Sequence, residues 1–213
     1  IGTLKIFEIL RAIPTIKKIL VFTSDKVYRN SEKKILIETS AMGGGQDPYS
    51  ASKSSQDIIS QSYGYSFFNK TKMIIIRSGN IIGGGDWAKD RLIPDIIRSY
   101  SNNKIFKVRS LNSTRPWIHI LDVINAILLA LTENGTKNNS NLIFNLSSKK
   151  IAQVSVKKII KLIKKNTIIK KIKIHKIKNK IKEKKYLHIS SRKAFKILNW
   201  KPKLTLNDSL KLT

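Results

Sequence analysis

The sequence contains no cysteine, few acidic residues and no long apolar run. Its 213 residues include 13 Asp plus Glu against 42 Lys plus Arg, which gives a formal net charge of +29. A chain without cysteine forms no disulfides. It also lacks a signal segment and any apolar run near about twenty residues, the length that spans a bilayer. We therefore expect a soluble, cytoplasmic protein that does not enter a membrane. No cluster of carboxylates, histidines or thiols indicates a metal site.

The excess of positive charge raises the question of nucleic-acid binding, because lysines that neutralise phosphates supply most non-specific affinity. Much of the excess lies in the lysine- and isoleucine-rich stretch 154–186, and no known nucleic-acid-binding motif accompanies it. Within that stretch one helical face is apolar, formed by Val156, Ile159, Ile160 and Ile163. A strand around residues 172–177 follows. We expect a solvated charged face here, and a basic nucleic-acid-binding surface is the lesser alternative.

Short apolar runs alternate with helical patterns along the first eighty residues. A helix in "GTLKIFEILRAI" ends before Pro14, and the apolar run "KKILVFTSD" follows as a strand. The next helix, "DPYSASKSSQDIISQSYGYSFF", has Asp47 as a possible N-cap and Pro48 in its first turn. "TKMIIIRSGN" is then a second buried strand. This order predicts a parallel α/β sheet, which binds ligands beyond the carboxyl ends of its strands. The polar residues at those ends are Thr23, Ser24, Asp25, Ser78 and Asn80.

Two Tyr-x-x-x-Lys pairs occur, Tyr49 with Lys53 and Tyr100 with Lys104. About one such pair is expected by chance in so lysine-rich a chain, so the spacing alone decides nothing. Tyr49 and Lys53 lie on one face near the start of a helix and follow a strand that delivers "TSDK" to the same crevice. An ammonium group beside a tyrosine favours the phenolate and makes it a better base. We predict that Tyr49, and not Tyr100, carries chemistry.

Five motifs occur in order along the chain: "TSDKVY", "DPYSASK", "RSGNIIGGGDWAKDRLIPDIIR", "RPWIHILD" and "RKAFKILNWKP". Together they resemble the extended short-chain dehydrogenase/reductase superfamily and, within it, the CDP-glucose 4,6-dehydratases. The resemblance implies an incomplete Rossmann-like, doubly wound parallel sheet with a smaller α/β substrate-binding domain. Residues 1–82 and 117–146 would be the remainder of the NAD-binding domain, and residues 83–116 and 147–213 the substrate-binding domain.

The resemblance has one departure, because these 213 residues contain no Gly-x-x-Gly-x-x-Gly turn. In the family that turn and the following helix hold the NAD pyrophosphate. We therefore expect about a hundred residues of the nucleotide-binding half to be absent. This chain alone is expected neither to bind NAD nor to dehydrate CDP-glucose, whereas a version with that half restored does both. A natural fragment, a broken reading frame and an incomplete gene assignment all remain open.

The resemblance also assigns roles in catalysis. Tyr49, as phenolate, takes the proton of the glucose 4-hydroxyl while NAD accepts hydride, and Lys53 holds the tyrosine ionised and binds the nicotinamide ribose. Ser24 hydrogen-bonds the same oxygen, protonated Asp25 serves the departing 6-hydroxyl, and Lys26 assists at carbon 5 as a base or as a charge. NAD is recycled, and the net reaction is loss of water. The cofactor-binding residues are Thr23, Tyr49, Lys53 and Ser78.

Arginine forks bind a pyrophosphate well. By motif position the substrate-binding residues are Asn80, Arg91, Arg109 and Arg115. From the residues alone a structural role is the better reading: Asn80 ends a strand, Arg91 caps or solvates its loop, and Trp117 and His119 pack beside the sheet. His175 and His188 are read as surface or strand residues.

The expected substrate is CDP-glucose or a similar nucleotide sugar, in deoxysugar and surface polysaccharide (lipopolysaccharide) biosynthesis. The complete protein is expected to be a homodimer that pairs through the helices around the Tyr-x-x-x-Lys segment. Two alternatives stay open, another nucleotide-sugar epimerase or dehydratase and a non-catalytic basic nucleic-acid-binding remnant. Nucleic-acid retention that disappears at moderate salt, with no preferred sequence, would leave the remnant unsupported.

Overall fold

A computed structural model describes residues 1–29, 35–43, 47–134, 141–148, 154–177 and 187–213. Its α-helices are α1 (Gly2–Arg11), α2 (Pro48–Ser66), α3 (Leu92–Ser101), α4 (Ile120–Thr132), α5 (Val156–Asn166), α6 (Arg192–Leu198) and α7 (Leu206–Lys211), and Asp25–Val27 forms one 3-10 turn. Its strands are β1 (Lys18–Phe22), β2 (Lys72–Ser78), β3 (Ile81–Ile82), β4 (Phe106–Val108), β5 (Thr114–Arg115), β6 (Ile118–His119), β7 (Leu142–Leu146), β8 (Val154–Ser155) and β9 (Ile174–Lys176).

The main sheet has the order β1-β2-β7, and both pairings are parallel. β2 is its central strand and is buried along its whole length, as the apolar run Met73–Ile76 at its centre predicts. Leu20 lies opposite Ile74, and Ile76 lies opposite Phe144. Leu142–Leu146, at the end of the range 117–146 that the sequence assigns to the NAD-binding domain, forms the third strand of this sheet, while residue 140 lies outside the described residues.

Helices cover both faces of the sheet. On one face Phe7 of α1 and Tyr63 of α2 pack with Ile19, Val21 and Ile75. On the other face α4 and α6 pack with Ile74 and Ile76. Parallel strands with helices on both faces form the doubly wound α/β architecture that the sequence predicts.

Lysines fasten the carboxyl end of α4 to the amino ends of β1 and β2. The Lys18 ammonium donates to the carbonyls of Leu131 and Glu133 and to the Asn134 side chain. Lys72, which is 7% exposed, forms an ion pair with Glu133 at 3.2 Å between Nζ and Oε2. Positive charge at a helix carboxyl end also complements the helix dipole. These lysines therefore contribute to the fold as well as to the charge.

A second apolar cluster lies away from the main sheet. It joins α3, α5 and the short strand β4, and its buried members include Ile93, Ile96, Phe106, Val108, Ile159, Ile160 and Ile163. α5 turns the predicted apolar face inward, which leaves Lys157, Lys158 and Lys161 toward solvent. The predicted domain boundaries stay a prediction. Residues of the segment 194–200, placed with the substrate-binding domain, pack on the core of the main sheet.

Within the described part of the chain no helix is both long and apolar enough to cross a membrane.

Candidate active site at the carboxyl end of the sheet

The chain turns sharply where β1 ends. Ser24 is the N-cap of the 3-10 turn, because its Oγ accepts a hydrogen bond from the Lys26 backbone N–H at 3.2 Å. The same hydroxyl donates to Asp25 Oδ1 at 3.1 Å. Ser24 and Asp25 are both buried, and Lys26 is half-buried. This turn places a hydroxyl, a carboxyl and an ammonium group in consecutive positions at the carboxyl end of the sheet.

α2 begins as its sequence predicts. Asp47 is the N-cap, with its carboxylate accepting from the backbone N–H of Ser50 at 2.9 Å, and Pro48 occupies the first turn. Near its other end Gly64 lets the helix approach the sheet, because a Cβ there would lie 2.9 Å from the Met73 Cβ. Buried Ser54 also donates to the Val27 carbonyl at 3.3 Å. Small side chains therefore allow α2 to lie close to β2 and to the turn after β1.

Lys53 of the Tyr49–Lys53 pair contacts the strand that leads into this turn. The Lys53 ammonium donates to the carbonyl of Phe22, the last residue of β1, at 3.2 Å and to Gln56 Oε1 at 3.0 Å. Burial lowers the pKa of Lys53 below its ordinary value. Tyr49 lies one helical turn before it and is 49% exposed, so its ring is open to a ligand. The structure thus brings the helix bearing Tyr49 and Lys53 to the strand end that carries Thr23, Ser24 and Asp25.

Tyr100 lies elsewhere. It ends α3, and its hydroxyl donates to the carbonyl of Ile168 at 3.4 Å. Asn102 caps the helix with its backbone N–H on the Arg98 carbonyl, and the chain turns at Asn103 with φ of 49°. Lys104 follows on the exposed side of that turn. The second Tyr-x-x-x-Lys pair is therefore remote from the carboxyl end of β1.

The remaining predicted cofactor residues are buried. The Thr23 hydroxyl donates to Asp57 Oδ2 at 2.9 Å, so it faces α2. Ser78 is 3% exposed. Its side chain lies on the face of β2 shared by Ile74 and Ile76, which α4 covers, because strand residues alternate between faces. Ser78 therefore borders the crevice with its backbone and directs its hydroxyl away from α2.

A cleft opens beside the carboxyl end of β2. Asn80, Trp87, Arg91 and Trp117 line it, together with Ile97 of α3. Arg91 is the residue before α3 and makes no side-chain cap, and Trp117 donates from Nε1 to the Val154 carbonyl at 3.1 Å. The structure thus brings two of the four predicted substrate-binding residues, Asn80 and Arg91, into one cleft.

The other two arginines do not line this cleft. Arg109 forms an exposed ion pair with Asp90. Arg115 lies in β5, is 8% exposed and donates from Nη1 to the Thr114 carbonyl at 2.8 Å. Its neighbour Pro116 packs so closely on Gly79 that a Cβ there would lie 2.4 Å from the proline Cγ. Arg115 is therefore placed beside the end of β2, and its role in binding stays a prediction.

The family model of GDP-mannose 4,6 dehydratase matches residues 1–213. The chain belongs to the GDP-mannose 4,6-dehydratase family. The resemblance drawn from the five motifs to the nucleotide-sugar dehydratases is thereby confirmed at the level of the family.

Two dehydratases show similarity to this family member in sequence. A CDP-glucose 4,6-dehydratase of Salmonella typhimurium is 39% identical over 135 residues, which are 60% of this chain and 38% of the relative. A dTDP-D-glucose 4,6-dehydratase of Dictyostelium discoideum is 30% identical over 165 residues, 66% of this chain and 36% of the relative. The chain therefore spans well under half the length of these curated relatives.

Solved structures share its fold. UDP-glucuronic acid 4-epimerase of Bacillus cereus has a TM-score of 0.86 at 22% identity and is matched over 99% of this chain and 64% of its own. The dTDP-glucose 4,6-dehydratase of Bacillus anthracis, in complex with NAD, has a TM-score of 0.82 at 21% identity over 100% of this chain and 64% of its own. At such identities the likeness establishes the fold, and it confirms the predicted Rossmann-like class.

Two residues of this family member were missed from the sequence, Asp57 and Arg77. They form an ion pair with 2.7 Å between Arg77 Nη2 and Asp57 Oδ1, at side-chain exposures of 1% and 0%. A signal was present, because an arginine inside the apolar run "KMIIIRS" needs a buried acidic partner. The local sequence of the serine-rich helix α2 does not indicate which of its residues is that partner.

His119 has a structural place in this fold. It is 3% exposed and caps α4, with Nδ1 accepting from the Leu121 backbone N–H at 3.2 Å. Burial lowers its pKa, so the imidazole is neutral near pH 7. This agrees with its reading as a packing residue beside the sheet.

Among the described residues no three His, Asp or Glu side chains come together as a metal site would require.

Proposed function

We propose that this chain carries the catalytic and substrate-binding part of an NAD-dependent sugar-nucleotide 4,6-dehydratase. Its substrate is CDP-glucose, which it converts to CDP-4-dehydro-6-deoxyglucose and water. The observation that carries the proposal is the hydrogen bond of the Lys53 ammonium to the Phe22 carbonyl, which joins the Tyr49–Lys53 helix to the Ser24–Asp25 turn. The 39% identity to the Salmonella CDP-glucose 4,6-dehydratase supports the choice of substrate.

The residues at this turn fit the nicotinamide end of NAD. The hydroxyls of a ribose need hydrogen-bond partners. Half-exposed Tyr49 offers a hydroxyl and half-buried Lys53 an ammonium group, on the helix that contacts the strand before Ser24. Lys53 would hold the ribose hydroxyls. The chemistry that bound NAD would supply is hydride transfer, from sugar carbon 4 and back to carbon 6.

The side chains of this chain would move the protons. Tyr49, ionised beside the Lys53 ammonium, takes the proton of the 4-hydroxyl, and the Ser24 hydroxyl hydrogen-bonds the same oxygen. A ketone at carbon 4 acidifies the hydrogen on carbon 5, where Lys26 assists its removal as a base or as a charge. Asp25, in its protonated form, gives a proton to the departing 6-hydroxyl so that it leaves as water. A proton returns to carbon 5 when the hydride is delivered to carbon 6, and exchange with solvent restores the proton of Asp25 and removes that of Tyr49.

The cleft beside β2 would hold the nucleotide diphosphate. The Arg91 guanidinium and the Asn80 amide face one space there, which suits an anionic ligand with hydrogen-bonding oxygens. Arg115, buried beside the same strand end, and exposed Arg109 would complete the diphosphate site. Product CDP-4-dehydro-6-deoxyglucose would enter deoxysugar and lipopolysaccharide biosynthesis in the cytoplasm.

The test supplies NAD with CDP-glucose, dTDP-glucose, UDP-glucuronic acid and GDP-mannose in separate reactions. We assay the chain as it is and the chain fused behind the glycine-rich NAD-binding segment of the Salmonella relative. Mass spectrometry of the CDP-glucose reaction is expected to show a sugar nucleotide lighter by one water, in at least one of the two proteins. A product of unchanged mass would identify an epimerase instead, and no product from any substrate in either protein would overturn the proposal.

Binding provides a test that needs no turnover. Loss of a charge-assisted hydrogen bond costs about 1.5–3 kcal/mol, so Arg91→Met is expected to weaken CDP binding about 10- to 100-fold in calorimetry. Arg11→Met, which removes an exposed arginine of α1, serves as the control. If the unsubstituted chain, Arg91→Met and Arg11→Met bind CDP with equal affinity, Arg91 is not part of the binding site.

We also propose that the protein pairs through α1 and α2. The two helices expose Ile6, Ile9, Ile58 and Tyr65, and Phe67, the C-cap residue of α2, is exposed beside them. Such a face is costly in water and favours a two-fold interface. Light scattering after gel filtration is expected to give twice the chain mass, and Ile58→Glu is expected to give the single mass. A monomer at micromolar concentration would contradict this interface.

A further inference from the structure

The buried arginine of β2 connects four segments around the predicted catalytic residues. Two of its donors go to one carboxylate: Arg77 Nε lies 2.8 Å from Asp57 Oδ2, and Nη2 lies 2.7 Å from Oδ1. Such a bidentate fork fixes both the distance and the orientation of its partner. Because Asp57 belongs to α2, the pair fixes α2 on the central strand.

The Nη1 donors of the guanidinium go to the segment that follows the predicted catalytic turn, by which we mean Ser24–Lys26. Arg77 Nη1 donates to the Tyr28 hydroxyl at 2.9 Å and to the Glu38 carbonyl at 3.0 Å. The Tyr28 hydroxyl in turn donates to Asn145 Oδ1 of β7 at 2.7 Å. Burial raises the pKa of Tyr28 to about 12, so this hydroxyl keeps its proton. Arg77 therefore also fixes the residues after Lys26.

Asp57 completes the connection from the other side. Its carboxylate accepts from the Thr23 hydroxyl at 2.9 Å and from Gln61 Nε2 at 2.7 Å, in addition to Arg77. Thr23 is the residue between β1 and Ser24. The catalytic turn is thus held at its beginning by Asp57 and at its end, through Tyr28, by Arg77.

The distances along α2 connect this pair to the chemistry. Lys53 lies one turn and Tyr49 two turns before Asp57, which is about 6 and about 12 Å along the helix axis. Hydrogen-bonded turns transmit a displacement of Asp57 to Tyr49. The Asp57–Arg77 pair therefore contributes to the position of Tyr49 relative to Ser24, together with the bonds of Lys53 to Phe22 and of Ser54 to Val27.

Stability alone does not explain this arrangement. An apolar pair of similar volume is often as stable as a buried ion pair, because burial removes both charges from water. The polar pair adds orientation. The guanidinium donors can reach their acceptors in separate segments only when those segments have one relative position.

We propose that Arg77 is a positioning residue: with Asp57 it fixes α2 relative to the segment 23–28, so that Tyr49 and Ser24 can both hydrogen-bond the same sugar oxygen. This inference rests on the proposed function for its chemical consequence and on the contacts above for its geometry.

Arg77→Lys tests the geometry. Lysine keeps a charge for Asp57 but has no planar fork, so the bonds to Tyr28 and Glu38 are lost. In hydrogen–deuterium exchange of the full chain we expect segments 23–29 and 48–60 to exchange at least about tenfold faster, because loss of these two hydrogen bonds favours local opening. Arg11→Lys should leave both segments unchanged. Faster exchange throughout the chain, or in neither segment, would overturn the proposal.

The pH dependence of turnover distinguishes positioning from electrostatics. In whichever protein form converts CDP-glucose, Arg77→Lys is expected to lower kcat about 10- to 100-fold at unchanged KM. The acidic limb of its rate profile should not move, because Tyr49 and Lys53 lie on the same helix. Lys53→Met, which removes the ammonium itself, is the comparison in which that limb is expected to move. A limb that moves in Arg77→Lys, or a normal kcat per folded molecule, would contradict positioning. If the unsubstituted protein converts no nucleotide sugar, the proposed function fails while the exchange measurement still decides the geometry.

Discussion

Replacing Tyr49 by phenylalanine is expected to lower the rate of CDP-glucose dehydration by about 10²- to 10⁴-fold, the contribution of one general acid or base. The ring remains, half-exposed at the carboxyl end of the sheet, and only the hydroxyl that would take the substrate proton is lost. Conversion of CDP-glucose to the 4-keto-6-deoxy product, followed in the active protein form, measures the effect.

Tyr100→Phe is the matched control. That hydroxyl makes one long hydrogen bond, 3.4 Å to the Ile168 carbonyl, at the end of α3. We expect its removal to change turnover less than about twofold, because surface substitutions rarely change the free energy of unfolding by more than about 0.5 kcal/mol. Equal losses in the two variants, or near-normal turnover in Tyr49→Phe, would refute the assignment of Tyr49.

Replacing Asp57 by alanine is expected to lower the free energy of unfolding by about 3–5 kcal/mol. The substitution leaves the Arg77 guanidinium, whose side chain is 1% exposed, without its bidentate carboxylate. A buried charge that loses its partner keeps its full desolvation cost. Urea denaturation followed by circular dichroism gives the difference.

Asp95→Ala provides the comparison on the surface. Asp95 pairs with Arg98 three residues away in α3, and the two side chains are 33% and 31% exposed. Exposed pairs contribute about 0–1 kcal/mol, so we expect a small loss. A double replacement of Asp57 and Arg77 by leucine and methionine should recover most of the stability lost in Asp57→Ala, although not the activity. Similar losses in Asp57→Ala and Asp95→Ala would show that the buried pair contributes no more to the free energy of unfolding than the exposed pair.

Local sequence patterns predicted the elements that carry the candidate site. The apolar runs of β1 and β2, the Asp47–Pro48 start of α2 and the inward face of α5 all follow from short-range chemistry. Lys53 contacts the carbonyl of Phe22 at the end of β1, where the parallel sheet brings the carboxyl ends of its strands to one edge. Their chemical roles stay predictions.

Other features depend on contacts between distant parts of the chain. The pairing of Asp57 with Arg77 is a tertiary contact, which helical or strand periodicity does not predict. Ser78 was placed at the crevice from its position at a strand end, but strand alternation turns its hydroxyl toward α4. The two-residue strands β3, β5 and β8 are too short to show any period. Such features require the assembled fold.

The anchoring of α4 by Lys18 and Lys72 has a practical consequence for protein engineering. A chain with a net charge of +29 invites resurfacing, in which lysines are exchanged for acidic residues to improve solubility or crystal growth. The exposed lysines of α5 are suitable targets, since their helix buries only its isoleucine face. Lys18 and Lys72 are not, because each donates to the carbonyl of Glu133, the C-cap residue of α4, and so holds the end of this helix against the sheet. Reductive methylation of all lysines would likewise alter this joint, so selective exchange is the safer route to a well-behaved preparation.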